Sequence, residues 1–414
     1  MTNAFTWVFL GALASATALR LWLAARQIRH VRAHRDAVPE PFAEAIPLDA
    51  HRRAADYSVA KTRLGAAEAI AGAALLLVLT LGGLLEALAR AWAGWLEPGG
   101  LAHGLALIVS LVALLSALDL PFAVWRVFVI EQRFGFNRMT PRLFAADLAR
   151  QAAVGAALGV PLVALVLWLM QAAGERWWLW AWLAWTAFNV LLLAAWPTLI
   201  APLFNRFSPL ADPALAARLK ALLERCGFRA GGLYVMDGSR RSSHGNAYFT
   251  GFGAAKRVVL FDTLLARLAP AEVEAVLAHE LGHYRRRHVL RRVALLLAAS
   301  FVMFWLLGRV MDEEWFYGGL GVQTRTHATA LALFFLVAPV FTFFLQPLAS
   351  LVSRRHEFEA DAYAAAHASA QDLVRALVTL YRDNAATLTP DPLHSVFYDS
   401  HPPAAARIAR LRTP

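Results

Sequence analysis

Apolar residues run through this 414-residue chain in blocks rather than in an amphipathic rhythm. Seven blocks are long enough to cross a bilayer, which takes about 20 residues at a rise of 1.5 Å each. They fall at 5–25, 67–92, 101–124, 152–173, 177–203, 293–311 and 328–352. Between the fifth and sixth the pattern changes. Residues 205–292 mix polar and apolar positions, predicting a helix at 213–226 and strands at 232–236, 246–250 and 257–261. Gly251-Phe252-Gly253 separates the last two strands as a hairpin loop. A further helix opens at Pro270, with Glu272 and Glu274 near its start and an apolar face at Val273, Val276 and Leu277. The predicted fold is mainly α, a multi-pass membrane protein with about seven transmembrane helices and a zincin-like α+β cytoplasmic catalytic domain. Its parts are helices 1–5 (1–204), the insertion (205–292), helices 6–7 (293–352) and a C-terminal catalytic segment (353–414).

Composition agrees with the membrane assignment: 59% of residues are hydrophobic, 17% are charged, and mean hydropathy is +0.49. The net charge of +11 belongs to basic loops, and no basic patch interleaved with stacking aromatics points to nucleic acid. Lys and Arg alternate between connections, with eight from Arg26 to Arg63, none at 91–100, five from Arg126 to Arg150, then only Arg176. The positive-inside rule therefore sets the N-terminus outside and both polar segments inside. Ala14-Ser15-Ala16 resembles a cleavage site, but no basic n-region precedes it, so the first block is read as a retained helix. Cys226 is the single cysteine, so a metal centre must use histidine and carboxylate.

His279-Glu280-Leu281-Gly282-His283 supplies such a centre. Positions i and i+4 of a helix share a face, so both imidazoles reach one ion, and Glu280 sits beside them to take a proton from water. The alternative is a surface helix with two solvated histidines. A third ligand is expected in the run from Ser353 to Asp361 that continues the seventh block. There Glu357 and Asp361 share a face while Glu359 points roughly opposite; spacing alone does not choose between the first two. The same cluster also reads as a solvated acidic face paired with Arg354 and Arg355.

With these residues in place the chain resembles the type I CAAX prenyl proteases, membrane zinc peptidases that remove the last three residues of prenylated proteins. The likeness covers nearly the whole chain. It rests on HELGH, on Phe134-Gly135-Phe136-Asn137 with Asp147, on the run from Pro197 to Asn205, and on the run from Ser243 to Phe249. The runs from Val259 to Leu265, Pro390 to Leu393 and Ser400 to Pro403 complete it. The resemblance implies Zn2+ held by His279, His283 and Glu357, with Asp361 hydrogen-bonded to a ligand histidine. It implies a water-filled chamber enclosed by the seven helices. Asn246, Ala247 and Tyr248 would form the edge to which an extended peptide adds, with His401 beside the developing oxyanion and Arg407 at the substrate's carbonyls. His356 departs from the family pattern, which carries an aromatic there, commonly Phe, and is read as a surface replacement.

The expected partners are a peptide or protein substrate with or without a C-terminal prenyl group, and the lipid bilayer. The Ala-, Leu- and Arg-rich composition suggests a bacterial inner membrane, where the familiar prenylated substrate would have no obvious source, and Arg412-Thr413-Pro414 is no retrieval signal. Two other readings compete. Membrane quality-control proteases of the heat-shock HtpX type share the HExxH motif but have fewer spans. A non-catalytic scaffold or transporter with structural zinc would need no general base, so Glu280 argues against it.

Overall fold

The computed structural model describes residues 3–228, 231–250 and 257–412. Seven helices in it are long and apolar enough to span a membrane: Ala4–Ala33, Leu48–Leu79, Leu101–Glu131, Pro141–Ala172, Gly174–Phe204, His288–Val310 and His327–His367. The largest core cluster lies among them, with Phe9, Leu79, Leu85, Leu107, Leu167, Leu307 and Leu333 fully or almost fully buried. Large apolar side chains such as Trp7, Leu191, Leu199 and Leu296 face outward, as a lipid-facing surface requires.

The second span differs from the expected 67–92. Its helix begins at Leu48 and ends at Leu79, where Gly82 and Gly83 break it and Gly83 adopts φ +77°. A separate helix, Leu84–Ala93, follows outside the span and buries Glu86, whose carboxylate accepts the backbone N–H groups of Gln323 and Thr324 at 2.9 Å. Two spans contain wide π-type turns, at Arg126–Glu131 and Trp196–Ile200. The first brings Glu131 to Tyr57 of the second span and to His244 of the insertion.

The insertion holds a four-stranded sheet of order β1-β2-β4-β3, with β1 Phe207–Pro209, β2 Leu233–Met236, β3 Ala247–Thr250 and β4 Arg257–Phe261. β3 pairs antiparallel with β4, Ala247 opposite Leu260, and is an edge strand, as expected. The expected Gly251-Phe252-Gly253 loop lies outside the described residues. β1, three residues ending in proline, was not foreseen; it pairs with β2. The helix Pro213–Arg225 packs Leu215, Leu219, Leu222 and Leu223 into the sheet's core.

Several motif residues join the insertion to the spans. Arg241 donates to both oxygens of Asp147 (2.8 and 3.0 Å), to Asn205 Oδ1 (2.9 Å) and to the Phe204 carbonyl (2.6 Å). Ser243 donates its backbone N–H to the Phe136 carbonyl, and His244 stacks on the Phe136 ring at 4.4 Å. Asp391 is bonded by Arg26 and, through its N–H, by Gln27 of the first span.

Candidate metal centre

Pro270–Arg285 is the helix that carries HELGH. Proline at its first position costs no hydrogen bond, and Glu272 accepts the Ala269 N–H at 2.9 Å to cap it. Gly282 decides where this helix goes. A Cβ there would stand 2.8 Å from Ala360 Cα and 3.0 Å from the Ala360 carbonyl oxygen, so only glycine admits the extension of the seventh span so closely. That contact brings Glu357, one turn before Asp361, over the two imidazoles.

His279 Nε2 lies 3.2 Å from His283 Nε2 and 3.4 Å from Glu357 Oε2, and His283 Nε2 lies 3.3 Å from Glu357 Oε1. A tetrahedral ion with bonds of about 2.0–2.1 Å holds its donors about 3.3 Å apart, so the three groups fit a first-row divalent metal. Glu357 Oε2 is moreover buried without a hydrogen-bond partner among the described residues, an acceptor that a cation would satisfy.

The outer ring nitrogens are also held. His279 Nδ1 donates to Asp361 at 2.8 Å, which turns Nε2 toward the position a metal would take. Burial acts to lower the pKa of His279, but the Asp361 and Glu357 carboxylates outweigh it and raise it to about 9. Asp361 also receives Arg407 Nε at 2.8 Å and Nη2 at 2.6 Å. Arg407 is thus buried and committed mainly to Asp361, with Nη1 3.7 Å from Glu357.

His283 Nδ1 is 3.0 Å from His288 Nδ1, and His288 Nε2 is 3.0 Å from Glu359 Oε2. If His288 donates to Glu359, its Nδ1 accepts from His283, and His283 Nε2 is left for a metal. His288 reaches back because Arg287 turns the chain with φ +58° between the HELGH helix and the sixth span. Glu359 does point away from the metal donors, but it supports one of them through His288. His356 is not on the surface: it is buried and stacks on His288 with ring centroids 4.0 Å apart.

Glu280 is half-buried and makes no hydrogen bond or ion pair with a described residue; burial pushes its carboxyl above the ordinary range, against the pull of His279 and His283. His401 Nε2 stands 3.4 Å from Glu357 Oε1, and burial lowers its pKa. Asn246 is exposed, Ala247 is buried, and Tyr248 lies edge-on to Phe261; β3 packs beside the HELGH helix. A cavity of about 1080 Å³ opens from His401 and Arg407. The first, second and seventh spans and the C-terminal segment line it, and spans three to six contribute none of its lining residues.

Two histidines on one helix of the insertion, with a glutamate from the extension of the seventh span at metal-ligand spacing and a second glutamate without a partner among the described residues, sit beside seven membrane-length helices, the arrangement of an integral-membrane metallopeptidase. Comparison with known proteins narrows the class. Residues 27–206 match the model described as CAAX prenyl protease N-terminal, five membrane helices, and residues 209–414 match peptidase family M48. The chain belongs to family M48. It is 35% identical to an Arabidopsis thaliana CAAX prenyl protease 1 homolog over 75% of this chain and 73% of that one. It is 34% identical to CAAX prenyl protease 1 of Saccharomyces cerevisiae over 75% and 72%. The crystal structure of S. mikatae Ste24p superposes with a TM-score of 0.90 at 29% identity, covering 99% of each chain.

Proposed function

We propose that the chain is a zinc endopeptidase that cuts a peptide bond near the C-terminus of its substrates, prenylated chains among them, with His279, His283 and Glu357 as metal ligands and Glu280 as general base. The observation that carries this is the spacing of 3.2, 3.4 and 3.3 Å among the three donor groups, with Glu280 unpaired beside them. Zinc bound there would supply a Lewis acid and a water acidic enough to lose its proton near neutral pH. Glu280 accepts that proton at its carboxylate and returns it to the leaving amine. Asp361 and His288 hold the imidazoles in orientation. His401, whose pKa is lowered by desolvation against the pull of Glu357, donates an N–H toward the oxyanion. The open edge of β3, from Asn246 through Tyr248, pairs with the substrate backbone and so accepts varied side chains. Arg407 reaches the substrate's carbonyls with the part of its fork that Asp361 leaves free. The Lys and Arg asymmetry supports catalytic segments on the cytoplasmic side, and the Ala-, Leu- and Arg-rich composition supports a bacterial inner membrane, although the relatives compared above are eukaryotic.

Purified protein in lipid nanodiscs, assayed by mass spectrometry on C-terminal peptides, tests the reading. Glu280→Gln should lower kcat by about 10²- to 10⁴-fold while the metal stays near one per chain. Normal turnover by the metal-loaded variant sinks the assignment.

A further inference from the structure

The cavity beside the metal centre carries cations that the chemistry above does not use. On its wall stand the two unused cations, Arg20 and Lys61, together with the imidazoles of His394 and His401 and the already assigned Arg407, against the acids Glu68 and Asp399. Arg407 is paired with Asp361, and Glu68 is paired with Arg126. Lys61 has no carboxylate within 4.0 Å among the described residues, and its ammonium rests over the Tyr57 ring at 4.0 Å. Glu131, one of the two nearby acids, is already bonded to the Tyr57 hydroxyl and faces His244 at 3.4 Å. The other, Asp399, lies two residues before His401. Lys61 is an exposed residue of a membrane-length helix and lines the cavity.

Its position links both sides of the candidate peptide track. Tyr57, one turn earlier on the same helix, stacks on His244 at 6.4 Å, and His244-Gly245-Asn246 leads directly into β3. On the other side the Asp399-Ser400-His401 run lines the same cavity, and His401 touches Glu357. A peptide lying along β3 with its scissile bond at the metal centre extends its released end into this space. That end carries one group every such substrate shares, the terminal α-carboxylate.

We infer that Lys61 binds the terminal carboxylate of the substrate, so that the peptidase selects peptides with a free C-terminus and counts its cleavage site from that end. This rests on the peptidase reading above. An extended residue spans at most about 3.3–3.6 Å, so an anchor on the rigid second span fixes which bond reaches the metal. The ammonium, strongly hydrated in bulk water, gains a charge-assisted hydrogen bond in a confined site where its own chain offers it none.

The test compares two peptides of one sequence, one ending in a free acid and the other in a carboxamide, cleaved in nanodiscs by the wild type and by Lys61→Met, Lys61→Arg and Arg20→Met. The readout is the acid-to-amide ratio of kcat/KM, which does not depend on the active fraction of a preparation. The wild type should favour the acid by about ten- to a hundredfold, mostly in KM, because a remote carboxylate is held alike in ground and transition states. Lys61→Met should bring the ratio to about one, with Lys61→Arg restoring much of it. A wild-type ratio of one, or a ratio unchanged in Lys61→Met, overturns the inference. So does loss of cleavage of both peptides in Lys61→Met, which would make the lysine structural. Arg20, whose guanidinium lies over the Phe343 ring, is the other cation on the wall without a carboxylate partner among the described residues. A ratio that collapses in Arg20→Met instead moves the anchor there and refutes Lys61. If the wild type cleaves neither peptide, the peptidase reading fails and takes this inference with it.

Discussion

Replacing Asp361 by asparagine keeps the shape of the side chain and removes its charge. The carboxylate is 3% exposed and accepts three hydrogen bonds, from His279 Nδ1, Arg407 Nε and Arg407 Nη2. Asparagine can accept on one oxygen only, and its NH2 group then faces a donor. Two losses follow. Arg407, 5% exposed, keeps only Glu357 as a counter-charge among the described residues, 3.7 Å from Nη1. Breaking a buried ion pair costs about 3–5 kcal/mol, and the surviving glutamate argues for the lower end. In the metal-free protein Glu357 is available to Arg407, whereas a bound metal draws on the same carboxylate. The metal-loaded form therefore loses more than the metal-free form. The extra loss appears as weaker metal binding, about 10- to 100-fold, or roughly 1.4–2.7 kcal/mol. Competition with a chromogenic chelator measures the affinity, and thermal unfolding of both forms in detergent measures the stabilities. Wild-type affinity in Asp361→Asn would show that this carboxylate does not support His279. A larger loss than in Glu357→Gln would make Asp361 the third ligand.

Three further expectations are independent of that one. His279, raised to about 9 in the metal-free protein, must lose its proton to bind metal, so affinity should climb about tenfold per pH unit between about pH 7 and 9 with one proton released. A flat profile would refute the raised pKa; the same shift stabilises the metal-free fold below the unfolded value of 6.5 and is lost as pH rises through about 9. In a Cys226→Ser background, cysteines at Gly94 and Glu44 should react with impermeant reagent from opposite faces, Gly94 from outside, and labelling of both from one face contradicts the topology. A farnesylated peptide should bind more tightly than its unmodified twin, since each buried CH2-sized group contributes about 0.8 kcal/mol, with the gain in KM rather than kcat; equal KM values in nanodiscs would show that no lipid-binding surface exists.

Helical periodicity alone brought His279 and His283 onto one face and narrowed the third ligand to Glu357 or Asp361. It could not go further, because the two carboxylates share a face and differ only in which nitrogen of His279 each meets, Nε2 or Nδ1. His288 was out of reach for a different reason. Five positions after His283 it belongs on another face of an unbroken helix, and only the left-handed backbone of Arg287 returns it. Hydropathy sums also read through Gly82 and Gly83, since two glycines barely lower an apolar average yet end the second span. The Arg241 cluster could not be seen in any spacing, because Asp147 is 94 positions away from it.

The seventh span runs on as one helix of 41 residues from His327 to His367, about 60 Å of rod at 1.5 Å per residue, with one tightened turn at Phe343–Leu345. Glu357 rides on the C-terminal part of that rod, while the two imidazoles precede the sixth span. During synthesis the histidines emerge 74 positions ahead of the glutamate, 357 minus 283, and two hydrophobic segments must be threaded before the three can meet. A half-inserted chain therefore lacks the complete donor set. Proteolytic competence arrives only with the final membrane crossing, so the architecture times the birth of the activity to the end of insertion.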